Sequence, residues 1–309
     1  MKKRRQHYVW RNYLRAWTFK SEQIWCARNE KLFPSNLMGV AQERDFYKLK
    51  ELNENDLVIL KRLLIEPIVV PDLKKSCEEW IDSFQMVFQM KRILDATFQD
   101  QRNALVEKEF DELITNIEED LHSAIENDMV PILERLLKKD TSVFDSDESY
   151  QSLCYFLAVQ YTRTNRVKKA LTTSFDSRLP GFMDRAIGVI RHINATTIAW
   201  GIMSKRQSES MNPCLLINET GLRFITSDQP AINTYAVLLD HKDVPSEAEF
   251  YYPLSPKLAI IISKREIYAS NISELDEDSV KHFNSLMARG SHDQLYGQDR
   301  ADLLPFVGA

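Results

Sequence analysis

Glycine is scarce, with 8 residues in a chain of 309. So few positions free to take left-handed backbone conformations disfavour glycine-rich phosphate loops and β architectures with many turns, and suit helices. Cysteine is thin as well: Cys26, Cys77, Cys154 and Cys214 are far apart and form no Cys-x-x-Cys pair. A zinc knuckle or thioredoxin-type dithiol is therefore not supported, and three of the four read as small hydrophobes within apolar runs. Long apolar runs are missing too. No stretch approaches the ~18 apolar residues of a membrane span. The basic start runs into Tyr8, Trp10 and Arg11 without the apolar region of a signal peptide. A cytoplasmic protein with reduced thiols and no membrane partner is expected. Motifs of serine hydrolases, P-loop proteins, dinucleotide binders and zinc proteases are absent. The histidines His122, His192, His241, His282 and His292 show no partner at ligand spacing.

What is present is an ordinary folded composition, 44% hydrophobic and 28% charged, far from the disordered class. The length suits one large domain or two modest ones. A net charge of −5 does not suit coating nucleic acid, so such binding needs a local basic patch. Lys2, Lys3, Arg4 and Arg5 form one candidate; Arg163, Arg166, Lys168 and Lys169 form another. Either run is equally well read as a solvated charged face.

Periodicity orders the elements. Gln23 to Arg28 reads as a strand and Leu37 to Leu49 holds another. Asn53 or Asn55 caps a helix over Leu57 to Ile65, which Pro67 ends. Apolar steps of three and four mark helices through Leu73–Leu94 and Val106–Met129, with a kink or restart at Pro131. Asp140 to Glu148 is a polar linker, and helices follow over Tyr150–Lys169 and Phe182–Ser204. Leu215–Asn218 with Leu222–Thr226 reads as a hairpin, and Phe250–Leu254 with Leu258–Ile262 as a second. Asp276 to Arg289 returns to helix. The pattern is α+β and predominantly helical. A single domain over 1–309 is expected, with a helical middle (54–205) inserted between strand-bearing parts, 1–53 and 206–309, that together build a small mixed or antiparallel sheet.

Three polar clusters stand out. In the first, Gln6-His7-Tyr8 precedes Tyr13 and Trp17 at helical spacing, which makes the opening a first helix. His7 can pack beside these aromatics, or take and give a proton near neutral pH. In the second, Gln160 and Thr164 continue the buried stripe of the Tyr150–Lys169 helix, with Arg163 at its edge. Buried polar groups need partners, so this cluster is either internal glue or a phosphate-holding fork. In the third, Thr226-Ser227-Asp228-Gln229-Pro230 follows a strand, where Asp228 can cap a turn or sit at a site. Arg185 and Arg191 also precede His192 at a spacing similar to that of helical RNases, one that chance supplies easily.

Taken in order, these clusters resemble the bacterial family known as domain of unknown function 4238. Its members carry a QHYVPxxYLRxF-like opening, a QYxRT element, a TSDxPV-like element and a PLSP turn. Here they read Gln6-His7-Tyr8-Val9-Trp10 with Tyr13-Leu14-Arg15, Gln160-Tyr161-Thr162-Arg163-Thr164, Thr226-Ser227-Asp228-Gln229-Pro230-Ala231 and Pro253-Leu254-Ser255-Pro256. Trp10 replaces the family-like Pro and Ala231 a Val. The resemblance spans nearly the whole chain and implies no established activity.

The residues themselves motivate a nuclease-like, RNA-directed effector toxin of the kind bacteria use against phage. His7 is then the general acid/base, Arg163 the phosphate binder, and Asp228 the group that orients His7 or binds a metal. Tyr8, Gln160 and Ser227 position the substrate. RNA or another phosphate-bearing molecule is the expected partner, a divalent metal is the cofactor left open, and a homo-oligomer or a regulatory protein partner is compatible. The rivals are a non-catalytic binding or scaffold module and a nucleotide-directed hydrolase or transferase.

Overall fold

Three small sheets wrap a helical middle in the computed structural model, which describes residues 1–97, 104–175, 178–239 and 245–307. The chain opens with β1 (Arg5–His7), α1 (Arg11–Leu14), β2 (Gln23–Arg28), β3 (Lys31–Asn36) and β4 (Gln42–Arg44). The middle holds α2 (Glu54–Leu60), α3 (Pro71–Thr97), α4 (Ala104–Leu137), α5 (Asp147–Thr162), α6 (Asn165–Phe175) and α7 (Phe182–Glu209). Then come β5 (Asn212–Ile217), β6 (Thr226–Ser227), β7 (Ile232–Asn233), β8 (Phe250–Ser255), β9 (Leu258–Ser263) and β10 (Ile272–Glu274). The chain continues with α8 (Glu277–Gly290), β11 (Leu295–Gly297) and α9 (Arg300–Leu303). The α+β, mainly helical class holds. Among the described residues no helix is long and apolar enough to cross a membrane.

The two ends of the chain do meet. β2 and β3 from the start pair with β11 and β6 from the end in a four-stranded antiparallel sheet ordered β3-β2-β11-β6. The sheet expected as one is divided, however. A second sheet, ordered β10-β5-β9-β8-β7, comes wholly from the C-terminal part, and β1 pairs only with β4. The second sheet is antiparallel except for the β10–β5 pair. Strand alternation explains the apolar run of β9, which is buried throughout. Leu258, Ile260 and Ile262 face one core with Leu157 of α5 and Ala199 of α7, while Ala259 and Ile261 face a second core with Phe283 and Met287 of α8. Burial on both faces removes the polar half of the usual alternation.

Local signals set the helix starts. Asn53 accepts the amide of Asp56, whose carboxylate accepts the amide of Asn53, a reciprocal cap for α2. Ser146 caps α5 and Asp276 caps α8 in the same one-sided manner. Pro131 is accommodated inside α4 without ending it.

Several expectations fail for tertiary reasons. The opening segment is not one helix: His7 ends strand β1, and only Arg11–Leu14 is α-helical. Edge pairing with β4 satisfies the Arg5–His7 backbone, as a helix would have done. The first hairpin is absent because β6 pairs with β11 and not with β5. Between them the Asn218 side chain ties the loop by donating to the Leu222 carbonyl and accepting from the Thr220 amide. The expected Tyr150–Lys169 helix breaks after Thr162 into α5 and α6. Of the Asp140–Glu148 linker, Val143 and Phe144 are buried in a short 3-10 turn.

Candidate functional site

The break between α5 and α6 is where the second motif points inward. Arg163 is the C-cap of α5, and leaving the helix there lets its side chain turn to the interior, where it is 1% exposed. Its Nη2 donates to Glu126 Oε1 at 2.6 Å and to Gln160 Oε1 at 3.1 Å. The Arg163 Nε and Gln160 Nε2 have no hydrogen-bond partner among the described residues. Burial and the nearby Glu126 act on this arginine in opposite senses, and the carboxylate wins, raising its affinity for the proton. Burial in turn raises the Glu126 carboxyl, and it pushes neighbouring Glu119 up to about 7.

Glu126 belongs to a stripe on α4. Glu118, His122 and Glu126 recur every four residues, so they share one helix face. The stripe is met from α7 by Arg191 and His192. Glu118 Oε1 lies 3.6 Å from His122 Nε2, 3.6 Å from His192 Nε2 and 3.8 Å from Arg191 Nη1. These four side chains are all but sealed from solvent. None of the separations is a hydrogen bond. Among the described residues, both nitrogens of each imidazole, all three guanidinium nitrogens of Arg191, and Glu118 Oε1 lack a hydrogen-bond partner.

Aromatic faces hold these groups in place. Trp80 stacks on His192 with centroids 4.6 Å apart, Tyr47 lies 4.6 Å from His122, and the two imidazoles stack at 5.4 Å. The Arg191 guanidinium sits 4.3 Å over Phe46. Desolvation pushes His122 well below the usual imidazole range, which leaves it neutral. Burial alone would raise the Glu118 carboxyl, but His122, His192 and Arg191 together hold it low and ionised.

The first motif borders this interior. Gln6 is fully buried and satisfied at both ends, donating to the Thr115 carbonyl at 2.7 Å and accepting the Tyr47 amide at 2.6 Å. His7 is partly buried and its Nε2 has no partner. Burial, then Arg11, and more weakly Arg163, push His7 down, so its ring is neutral near pH 7. Tyr8 packs on Phe46 with centroids 5.1 Å apart.

The third motif is used differently. Asp228 is fully buried and accepts the backbone N–H groups of His292, Asp293 and Gln294 at 2.8, 2.8 and 3.2 Å. Burial raises its carboxyl to about 6 against the pull of those donors. Ser227 Oγ donates to the Gln229 carbonyl at 2.9 Å and accepts its amide at 3.0 Å. Gln229 reaches back to the second motif, accepting from the Thr164 hydroxyl and donating to the Tyr161 carbonyl.

Two groupings result. Arg163 acts electrostatically on His7, His122 and Tyr47, so the first two motifs share one interior with the α4–α7 cluster. Asp228 acts on Tyr8, Cys26 and Tyr296, and its described hydrogen bonds go to the 292–294 turn, not to His7 or Arg163. The reading that the other histidines lack ligand partners is corrected for His122 and His192, which Glu118 joins; His241 lies outside the described residues. The missed signal was the Glu118–His122–Glu126 stripe; the Arg191-His192 pair that meets it stood out in the sequence only as a spacing that chance supplies easily.

A cavity of about 20 Å³, room for one water molecule, reaches Glu118, Gly188 and Arg191. It shares Phe46, Lys48, Lys50, Asp184 and Ile187 with an open cleft of about 580 Å³ that Lys168 also lines. The cavity thus borders a cleft lined by Lys48, Lys50 and Lys168, paired with Asp111, Asp184 and Glu43.

A family model described as protein of unknown function (DUF4238) matches residues 5–301 of the chain. No curated protein and no solved structure matches it.

Proposed function

From the premise that the chain belongs to the DUF4238 family, whose description assigns no activity, we propose that it is a phosphodiester-directed hydrolase. In its sharpest form it is a nuclease-like effector that acts on RNA as a toxin in defence against phage. One observation carries this reading: Arg191 is 1% exposed and none of its guanidinium nitrogens has a hydrogen-bond partner among the described residues. A buried, always-charged donor fork left without acceptors is costly, and a phosphate oxygen pair is the planar acceptor it matches. Arg163 supports the reading with a second buried guanidinium whose Nε is free.

In this reading Arg191 and Arg163 hold the phosphate and stabilise charge that develops on it. His7, neutral and with Nε2 unpartnered, accepts the proton of the attacking hydroxyl or water and returns one to the leaving oxygen. Gln160 offers its free amide nitrogen, and Tyr8 forms part of the wall beside Phe46. Asp228 and Ser227 are positioning residues that hold the turns beside Tyr8.

The test is incubation of the pure chain with tRNA, total RNA, DNA and nucleotides, with and without divalent metal. RNA cleavage is expected, and it should disappear in His7→Ala and Arg191→Met proteins that melt like the parent. Turnover of nucleotides alone moves the assignment to a nucleotide hydrolase or transferase. If no substrate is cleaved, or both variants cleave normally, the hydrolase reading fails.

A second reading, a binding or scaffold module, is favoured by Gln6, Asp228 and Gln229. Each has buried hydrogen bonds that tie distant parts of the chain together. On that reading, motif substitutions would lower stability in parallel and no catalysis would be found.

A further inference from the structure

Glu118 and His122 project from successive turns of α4 toward His192 of α7, and one donor atom from each lies within 4.8 Å of the others. Such proximity usually ends in hydrogen bonds, and here it does not. The Glu118 Oε1 stands 3.6 Å from both Nε2 atoms, too far for a hydrogen bond. That distance is instead the edge expected between ligands of a four-coordinate cation, about 3.3–3.6 Å for bonds of about 2.0–2.2 Å. We propose that Glu118, His122 and His192 hold one divalent first-row transition cation, of the zinc class, between α4 and α7.

Three independent features favour a cation over an empty polar core. First, Glu118 Oε1 and both nitrogens of each imidazole are buried and have no hydrogen-bond partner among the described residues, a state that native interiors seldom tolerate without a ligand or ordered water. Second, the rings are aimed: Trp80 stacks on His192 and Tyr47 packs on His122, so rotation that would seek other partners is blocked. Third, α7 carries Gly188 one turn before His192. A β-carbon there would stand 2.9 Å from Glu118 Oε2, so the missing side chain admits the carboxylate to the ligating position.

Donor chemistry chooses the metal. Two imidazoles and one carboxylate suit zinc and its neighbours, whereas magnesium prefers six oxygens and retains its water. Three protein ligands leave a fourth position. The Arg191 Nη1, 3.8 Å from Glu118 Oε1, adds positive charge beside it, so that position would take hydroxide or another anion. The assignment stands apart from the hydrolase reading, since a cation here could be purely structural.

The test reads metal binding, not activity. The full chain is dialysed against a chelator and then equilibrated with Zn²⁺, Co²⁺ or Mg²⁺. One equivalent of Zn²⁺ per chain is expected by elemental analysis, with an intense visible Co²⁺ spectrum of tetrahedral type and a higher melting temperature with either ion. Glu118→Gln and His192→Ala should lose the equivalent. Gly188→Ala keeps all three ligands but displaces the carboxylate, and should weaken Zn²⁺ binding by about tenfold or more, as lost ligand orientation does elsewhere. The wild-type measurement decides even if the ligand variants fold poorly. A wild-type chain that takes up no Zn²⁺, binds Mg²⁺ equally well, or keeps its equivalent in folded His192→Ala protein overturns the proposal.

Discussion

Gly188 of α7 faces the Glu118 carboxylate of α4 so closely that a β-carbon on the glycine would lie 2.9 Å from Glu118 Oε2. Alanine normally stabilises a helix interior by about 1 kcal/mol over glycine. Here we expect the reverse. Gly188→Ala should lower stability in urea unfolding, because overpacking costs about 1–3 kcal/mol. In the Gly188→Ala, Glu118→Ala double variant the penalty should vanish. A stabilising Gly188→Ala in the wild-type background would show that the Glu118 side chain is not held against α7.

The two buried arginines should respond differently to truncation. Arg163 is bonded to Glu126 and Gln160, so Arg163→Met leaves a buried carboxylate unpaired and should cost about 3–5 kcal/mol. Arg191 makes no hydrogen bond. Arg191→Met removes an unsatisfied fork and keeps its apolar stem but takes away one of the charges that hold Glu118 ionised, 3.8 Å away, and should cost about 1–3 kcal/mol, less than Arg163→Met. Denaturant unfolding of both variants gives the order, and equal losses would refute it.

Asp228 should be a structural aspartate with a local signature. Asp228→Ala deprives the His292, Asp293 and Gln294 amides of their acceptor, and the Gln294 amide, the buried one of the three, left bare costs about 1–3 kcal/mol. Amide exchange should accelerate first at residues 292–294, ahead of α7. Uniform acceleration over the chain would contradict this local role.

The start of α2 should be acid-labile. Arg185 donates to both Asp56 oxygens at 2.6 and 2.8 Å. That side-chain pairing, against the opposing effect of burial, holds Asp56 below the usual carboxylate range. A carboxyl lowered on folding contributes stability above its unfolded value and loses it as pH falls through the folded one. The advantage of wild type over Asp56→Asn should be full at about pH 5 and shrink as pH drops below about 4. A pH-independent difference between the two melting curves would argue that the pair contributes nothing as a charge.

Much of the fold could be read in advance because it rests on local pattern. The apolar steps of α3 and α4, the Asn53 cap and the β8–β9 hairpin depend on neighbours within a few residues. The site was legible only in part. His7, Arg163 and Asp228 were the residues singled out; Arg163 and Asp228 are buried, and His7 is partly buried. Their separation into different roles was not legible. It depends on which groups face them: Glu126 for Arg163, and the 292–294 backbone for Asp228.

Chain pattern alone determined the helical middle, the strand-bearing ends and the burial of Gln160 and Thr164, since each follows from residue spacing and from the free energy of removing apolar groups from water. Tertiary structure alone decided that β6 joins β11, that the Arg163 helix breaks, and that His192 meets Glu118 and His122. Those outcomes turn on contacts between residues far apart in sequence. The four-residue step of α4 places Glu118 above His122, but only the packing of α7 brings a second imidazole to them. For that reason the opening segment, prominent as it is in the sequence, forms the border of the polar interior and not its centre.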